Sequence, residues 1–385
     1  MKTSTHNRRD VLRACGGAFG ATAMLLAAPR ASGQSAPSTP GSLPDPGSSN
    51  LGVGVLYCGD RADFGFNQAH AEAARALTGL PGLRLEEREH AAGTLAATAE
   101  ELLGPQGCRV VIVTAAGDAL PGLLAQADAH RDTVFLFSGA PLDRDRLPIN
   151  TGFFEGYIEE AQHISGLVAG YASRAKTIGL VASHPAPDVL RCVNAFALGA
   201  RRADPAAALR VAFVGESATP RQVAEAARAL AEGGADVLAA QLDGARPVCE
   251  VAEAHGILCC GLHTDLSAFA PQGFLTGAEW AWEKAYAEAV ALIAAGKPWK
   301  HLRQGGFDQG FVRNTAYGPA VAVEARAHAD AARMQLANGN AAVFRGPIQD
   351  NTGRTVVAKG KALRGGDAEL GRMVWLADGV TEVAR

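Results

Sequence analysis

Short apolar runs alternate with helix-length segments from about residue 51 onward, and that alternation is what most constrains the fold. Runs at 52–57, 84–88, 109–114, 133–138, 177–182, 210–214, 237–241, 257–262 and 274–277 read as strands. Helical patterns occupy 67–78, 94–103, 120–130, 187–202, 220–232, 246–255 and 283–295. Strand and helix in turn predict βαβ units and parallel sheets. The segment 220–232 shows the logic. Thr219 is placed to cap, Pro220 takes the first helical position, and Gly233 stops the chain. Val223, Ala227 and Leu230 then form one apolar stripe that needs a sheet to cover.

The alternation runs in two rounds, 51 to about 152 and about 158 to 262, with Asn150-Thr151-Gly152 as a small-residue hinge between them. Each round builds its own sheet, and ligands in such sheets sit beyond the carboxyl ends of the strands. Two lobes facing each other make a cleft that closes about a hinge.

The strand exits are therefore the candidate site. Cys58-Gly59-Asp60-Arg61-Ala62-Asp63-Phe64-Gly65-Phe66-Asn67-Gln68 follows the first strand. Phe64 and Phe66 offer aromatic faces, and Asn67 can donate and accept. One of the two phenylalanines is expected in the core and the other at the ligand. Asp118 follows the third strand of the first round, and Ser183-His184 leaves the first strand of the second. Glu216, Gln241 with Asp243, and His263-Thr264-Asp265 follow later strands. Taken singly, each polar exit reads more readily as a cap or turn residue than as a ligand contact. Their coincidence on one rim points to binding.

The first 50 residues are of another kind. Arg8-Arg9 precede an apolar small-residue stretch from Ala14 to Ala28, the pattern of an export signal of the twin-arginine type, with cleavage expected near Ala31-Ser32-Gly33. The stretch is too short and glycine-rich to span a bilayer. Residues 34–50, rich in Ser, Pro and Gly, read as a flexible leader. The expected location is the periplasm.

Charge and motifs narrow the function. After residue 50, acids outnumber bases 37 to 31 with no clustered cations, which disfavours nucleic acid and anionic membrane as partners. Six cysteines remain after Cys15: Cys58, Cys108, Cys192, Cys249, Cys259 and Cys260. An oxidising compartment permits disulfides, but no CxxC pair suggests zinc, and neither metal nor cofactor is expected. The Cys259-Cys260…His263 grouping lies in an apolar strand run and reads as buried thiols. No GxSxG elbow, P-loop or HExxH is present. A hydrolase using Asp63, Asp118 and Asp265 would need a nucleophile–base pair or a metal, and the sequence suggests neither.

Several segments together resemble the basic membrane protein family of substrate-binding proteins, which includes purine nucleoside receptors. They are Asp63-Phe64-Gly65-Phe66-Asn67, Pro185-Ala186-Pro187-Asp188-Val189-Leu190 running on to Asn194-Ala195-Phe196-Ala197-Leu198-Gly199, Gly233-Gly234-Ala235-Asp236-Val237, Gly261-Leu262-His263-Thr264-Asp265 and Gly346-Pro347-Ile348-Gln349-Asp350-Asn351-Thr352-Gly353. The resemblance spans residues 51–385. It implies a type I periplasmic-binding-protein fold, with two doubly wound parallel-sheet α/β lobes joined by three hinge crossings. It also implies binding without catalysis, a purine nucleobase or nucleoside as ligand, and an ABC permease in the inner membrane as partner to a monomer. By that match Phe66 resembles the stacking aromatic, Asn67 its polar neighbour and Asp265 the acid that reaches the ligand from the hinge side. The family's second aromatic, after the second strand of lobe two, is missing from Gly215-Glu216-Ser217-Ala218-Thr219. Trp280 or Trp282 could replace it, and a ligand other than a purine stays open. A ligand sensor for a membrane receptor would share the fold. The expected division is an export signal over 1–33, a leader over 34–50, lobe one over 51–153 and 266–300, lobe two over 154–265 and 301–345, and a tail over 346–385 packing on the lobes.

Overall fold

The computed structural model describes residues 50–90, 94–115, 117–139 and 147–383. The export signal and most of the leader read from the sequence lie outside the described residues. Among the described residues no helix is long and apolar enough to cross a membrane.

The chain starts with β1 (Leu51–Tyr57), α1 (Phe66–Leu77), β2 (Leu83–Glu89), α2 (Leu95–Leu103), β3 (Val110–Val113), α3 (Leu120–Ala129), β4 (Val134–Ser138) and β5 (Thr151–Gly156). It continues through α4 (Ile158–Ala172), β6 (Thr177–Ala182), α5 (Pro187–Ala203), β7 (Ala208–Phe213), α6 (Pro220–Glu232), β8 (Val237–Gln241), α7 (Arg246–Ala254), β9 (Leu258–His263) and β10 (Phe274–Trp280). Then follow α8 (Trp282–Ala294), β11 (Leu302–Gly305), β12 (Val312–Asn314) and α9 (Val323–Ala337). Short strands β13 (Phe344–Arg345), β14 (Ile348–Gln349), β15 (Thr355–Val357), β16 (Ala362–Leu363) and β17 (Val380–Glu382) complete it.

Two sheets result, with strand orders β11-β5-β4-β3-β1-β2 and β12-β10-β9-β8-β6-β7-β17. All pairings in the first are parallel. The second is parallel except where β12 runs against β10. This is the two-lobed α/β fold expected from the alternation, and both faces of each sheet are covered by helices, as parallel strands require. Helix α6 forms as read: Thr219 and Gln222 close a capping box, Gly233 ends the helix, and Val223, Ala227 and Leu230 are buried.

The chain crosses between lobes three times. It leaves β5 for α4 at Tyr157, returns from β10 to α8 at Ala281, and passes from β11 to β12 between residues 305 and 312. These points move three expected boundaries, the first because β5 carries lobe one on through Gly156. Residues 266–280 stay with lobe two, because β10 pairs with β9 there. Strand β11 belongs to lobe one, because Leu302–Gly305 pairs with β5. Residues 150–152 are not a hinge either. Thr151 and Gly152 lie in β5, and the buried Asn150 amide donates to the carbonyls of Ala127, His130 and Thr133.

Helix α4 escaped the sequence reading because it is buried on nearly every side and carries no stripe. It lies against α5 so closely that a Cβ at Gly166 or Gly199 would strike the facing helix backbone. The tail packs into the core of lobe two, and its Gly365 and Gly366 lie against Tyr157 at the first crossing. Leu363, Leu370, Met373, Ala377 and Val380 enter that core, and the Asn194 side chain bonds Trp375 O and Ala377 N, each at 2.8 Å.

Candidate functional site

The carboxyl ends of both sheets face one cleft of about 410 Å³. Lobe one lines it with Phe66 from the start of α1, Thr114 and Ala115 after β3, Ser138 and Gly139 after β4, and Glu155 on β5. Lobe two contributes Ser183, His184, Asp188, Arg191, Glu216, Gln241, Asp243 and His263. Trp280 and Trp282 flank the second crossing, on its floor.

The floor is an aromatic column. His70, Trp282 and Trp280 lie nearly parallel, with centroid spacings of 5.5 and 4.7 Å. Trp282 is fully buried between its neighbours, whereas Trp280 is half-buried and meets the cleft. Gly156 permits this packing, since a Cβ there would come within 2.5 Å of the Trp280 ring. Burial pushes His70 down to about 3, so it is a neutral ring at ordinary pH, and its Nδ1 lies 2.7 Å from the Tyr286 hydroxyl.

Trp280 also sets the chemistry of His263. Its indole N–H donates to His263 Nδ1 at 2.8 Å, which leaves the proton of the neutral imidazole on Nε2. Nε2 sits 3.3 Å from Asp243 Oδ1. Desolvation acts to raise the Asp243 carboxyl, but the hydrogen bond from His263 Nε2 outweighs it and holds the group below its usual value. His263 has φ 72, a strained conformation for a residue with a side chain, at the end of β9. Phe66 stands edge-on to this group, at 86° to Trp280 and 79° to His263.

The sequence-derived candidates divide in two. Phe66, Glu216, Gln241, Asp243 and Trp282 line the cleft. Gln241 is tied there by a 2.8 Å bond from Gln162 Nε2. Phe64, Asn67, Asp118 and Asp265 do not line it. Phe64 points away, against Phe269 of lobe two at 5.1 Å and under the Arg246 guanidinium. The Asn67 amide is consumed by Asp63 Oδ2 at 3.0 Å and the Thr114 hydroxyl at 3.1 Å. Asp63 itself accepts from the backbone N–H groups of Gly65, Asn67 and Gln68, fixing the start of α1. Asp118 is exposed in a 3-10 turn, and Asp265 is exposed with its carboxylate on the Ser267 N–H at 2.9 Å.

Of these cleft residues, Arg191 carries no sign in the sequence, His263 stands there only as part of a polar strand exit, and Trp280 only as a substitute aromatic. Arg191 is not at a strand exit: it lies inside α5, one turn past its start. Its Nε is 3.4 Å from Glu159 Oε2, and the two side chains are 12% and 2% exposed. Burial drives the Glu159 carboxyl up against the pull of Arg191. Among the described residues no group of three or more His, Cys, Asp or Glu is placed to hold a metal.

Two α/β lobes, three crossings and a lined cleft between strand ends define a solute-binding protein. The chain belongs to the Bmp family, the PnrA-like ABC transporter substrate-binding proteins, whose pattern matches residues 51–315. Such proteins present a small molecule to a membrane permease and generally work outside the cytoplasm. A putative ABC transporter glucose-binding protein of Haloferax volcanii is 28% identical over 76% of this chain and 73% of its own. A purine-binding protein of Brucella abortus is 26% identical, over 79% and 85%. The solved ABC transporter solute-binding protein of Conexibacter woesei superposes with TM-score 0.66 at 25% identity, covering 76% of this chain and 97% of that one. A transcriptional activator of the comK gene from Bacillus halodurans, at TM-score 0.65 and 18% identity, covering 75% and 98%, shares the fold.

Proposed function

We propose that this protein is a periplasmic binding protein, monomeric and without turnover, that captures a purine-type heterocycle for an ABC importer. The observation that carries the reading is the column ending on Trp280. Trp282 stacks on one face of Trp280, and Trp280 itself lines the cleft where a flat ligand would lie. Stacking on an aromatic face contributes about 1–3 kcal/mol per base and tolerates any base. The 86° angle to Phe66 makes the clamp a corner: a base lying on one ring meets the other edge-on. Asp243 and Glu216 accept hydrogen bonds from ring or exocyclic N–H groups, and the 410 Å³ cleft suits a base or nucleoside.

A second reading, a hexose, is favoured by the carboxylates Glu155, Asp188 and Glu216 around the same cleft, which suit vicinal hydroxyls. The glucose-binding relative supports it. Calorimetric titration with adenine, hypoxanthine, their nucleosides and D-glucose separates the two. Heat with the purines and none with glucose supports the first reading, and the reverse overturns it.

A further inference from the structure

Resting on the purine reading, we infer that Arg191 makes the cleft selective for 6-oxopurines over 6-aminopurines. Arg191 lines the cleft from inside α5, so its position is set by a helix packed on α4 rather than by a loop. Glu159 holds it on one side through Nε, with both Glu159 oxygens otherwise without a hydrogen-bond partner among the described residues. Cys192, the next residue of α5, also interacts with its side chain. Arg191 donates no hydrogen bond to any oxygen or nitrogen of the described residues.

A buried ion pair with no supporting hydrogen bonds contributes little to stability, because desolvating two charges offsets their attraction. What the pair does achieve is to fix a guanidinium at the cleft wall. A guanidinium is a rigid fork of N–H donors with no acceptor, and partly desolvated donors cost free energy until they meet acceptors. The ligand must therefore bring two acceptors side by side. The O6/N7 edge of a 6-oxopurine is that pair, and it is the edge an arginine fork reads on guanine. Adenine offers N7 but turns an amino group toward the same fork, setting donor against donor. Because the carboxylates of Asp188, Glu216 and Asp243 line lobe two's side of the cleft beside Arg191, the site suits a neutral carbonyl rather than a phosphate.

The test is calorimetric titration of the wild type and R191K with hypoxanthine and adenine. Lysine keeps a cation beside Glu159 but loses the fork. Hypoxanthine should bind the wild type at least about tenfold more tightly than adenine, the scale of one bidentate pair. R191K should lose most of that ratio while binding adenine about as before. Adenine binding equally or more tightly overturns the selectivity and leaves the purine reading standing. A wild-type ratio retained in R191K overturns the role of Arg191. No heat with either base overturns both readings together. If R191K fails to fold, the double variant E159Q/R191M, which removes both buried charges, takes its place.

Discussion

The lobes meet at two aromatic junctions built on opposite principles. The inner one is the His70–Trp282–Trp280 column, whose tryptophans flank the covalent crossing at Ala281. Phe154 also packs on Trp282, at 5.1 Å. The outer junction is noncovalent. Phe64, from the loop after β1, sets its ring at 87° to Phe269, and the Arg246 guanidinium lies 5.0 Å from the Phe64 ring centre and 4.5 Å from that of Phe269. Glu250 holds Arg246 in place at 2.6 Å, and Phe64 accepts φ 52 to reach it. Rotation about the crossings would pull Phe64 from its seat, whereas Trp282 would stay packed on His70 within lobe one while Trp280 turns with lobe two. The inner junction thus joins the core to the cleft floor, and the outer one is a noncovalent contact between the lobes that opening would break.

The largest effect expected from this division is on stability. Trp282→Ala should cost about 3–5 kcal/mol in urea denaturation, as for a large aromatic removed from a core. A loss under about 1 kcal/mol would mean that the column is not core. Phe66→Ala should weaken purine binding by about 1–3 kcal/mol in calorimetry, with little change in melting temperature. Phe64→Ala should weaken the same binding by about 0.5–2 kcal/mol, the scale of its cation–π contact, and should speed ligand dissociation in stopped flow. Equal effects of the two phenylalanine variants on dissociation would erase the distinction between the junctions.

Glu160, at the third crossing, gives a gentler probe. Burial raises its carboxyl to about 7 against the Phe307 N–H bond, with Glu159 and Asp308 adding to the rise and Arg364 opposing it. The protonated form is therefore favoured in the fold. Its stabilisation is complete below the unfolded value of about 4.3 and is lost as pH rises through about 7. Glu160→Gln should flatten the stability profile over that window, read by thermal melts across pH. The smallest effect is expected at Asp265. Asp265→Ala removes one exposed turn bond, so stability should fall by no more than about 1 kcal/mol and binding should not change.

The two-round alternation made the sheets and most helices legible, because short buried strands and capped amphipathic helices each leave a local pattern. Helix α4 and strand β11 left none: one is buried all round, and the other is the four-residue stretch Leu302–Gly305 with two polar side chains. In the site, loop position placed Phe66, Glu216, Gln241 and Asp243 on the rim. Phe64 and Phe66 are two residues apart in one loop, and only the fold of that loop decides which ring faces the cleft. Asp265 follows its strand by two residues, but β9 ends at His263, and the strained backbone there turns the chain away. Arg191 was invisible because its partner, Glu159, lies 32 positions earlier on a helix that the sequence did not announce.

The paired indoles have an optical consequence. Trp280 and Trp282 are held nearly parallel at 4.7 Å, close enough for their excited states to mix. The other two tryptophans, Trp299 and Trp375, lie elsewhere in the chain and supply a steady background. A heterocycle settling on Trp280 would quench that indole and alter the near-ultraviolet circular dichroism of the pair. The protein thus carries its own chromophore for occupancy, and a ligand search needs neither label nor dye.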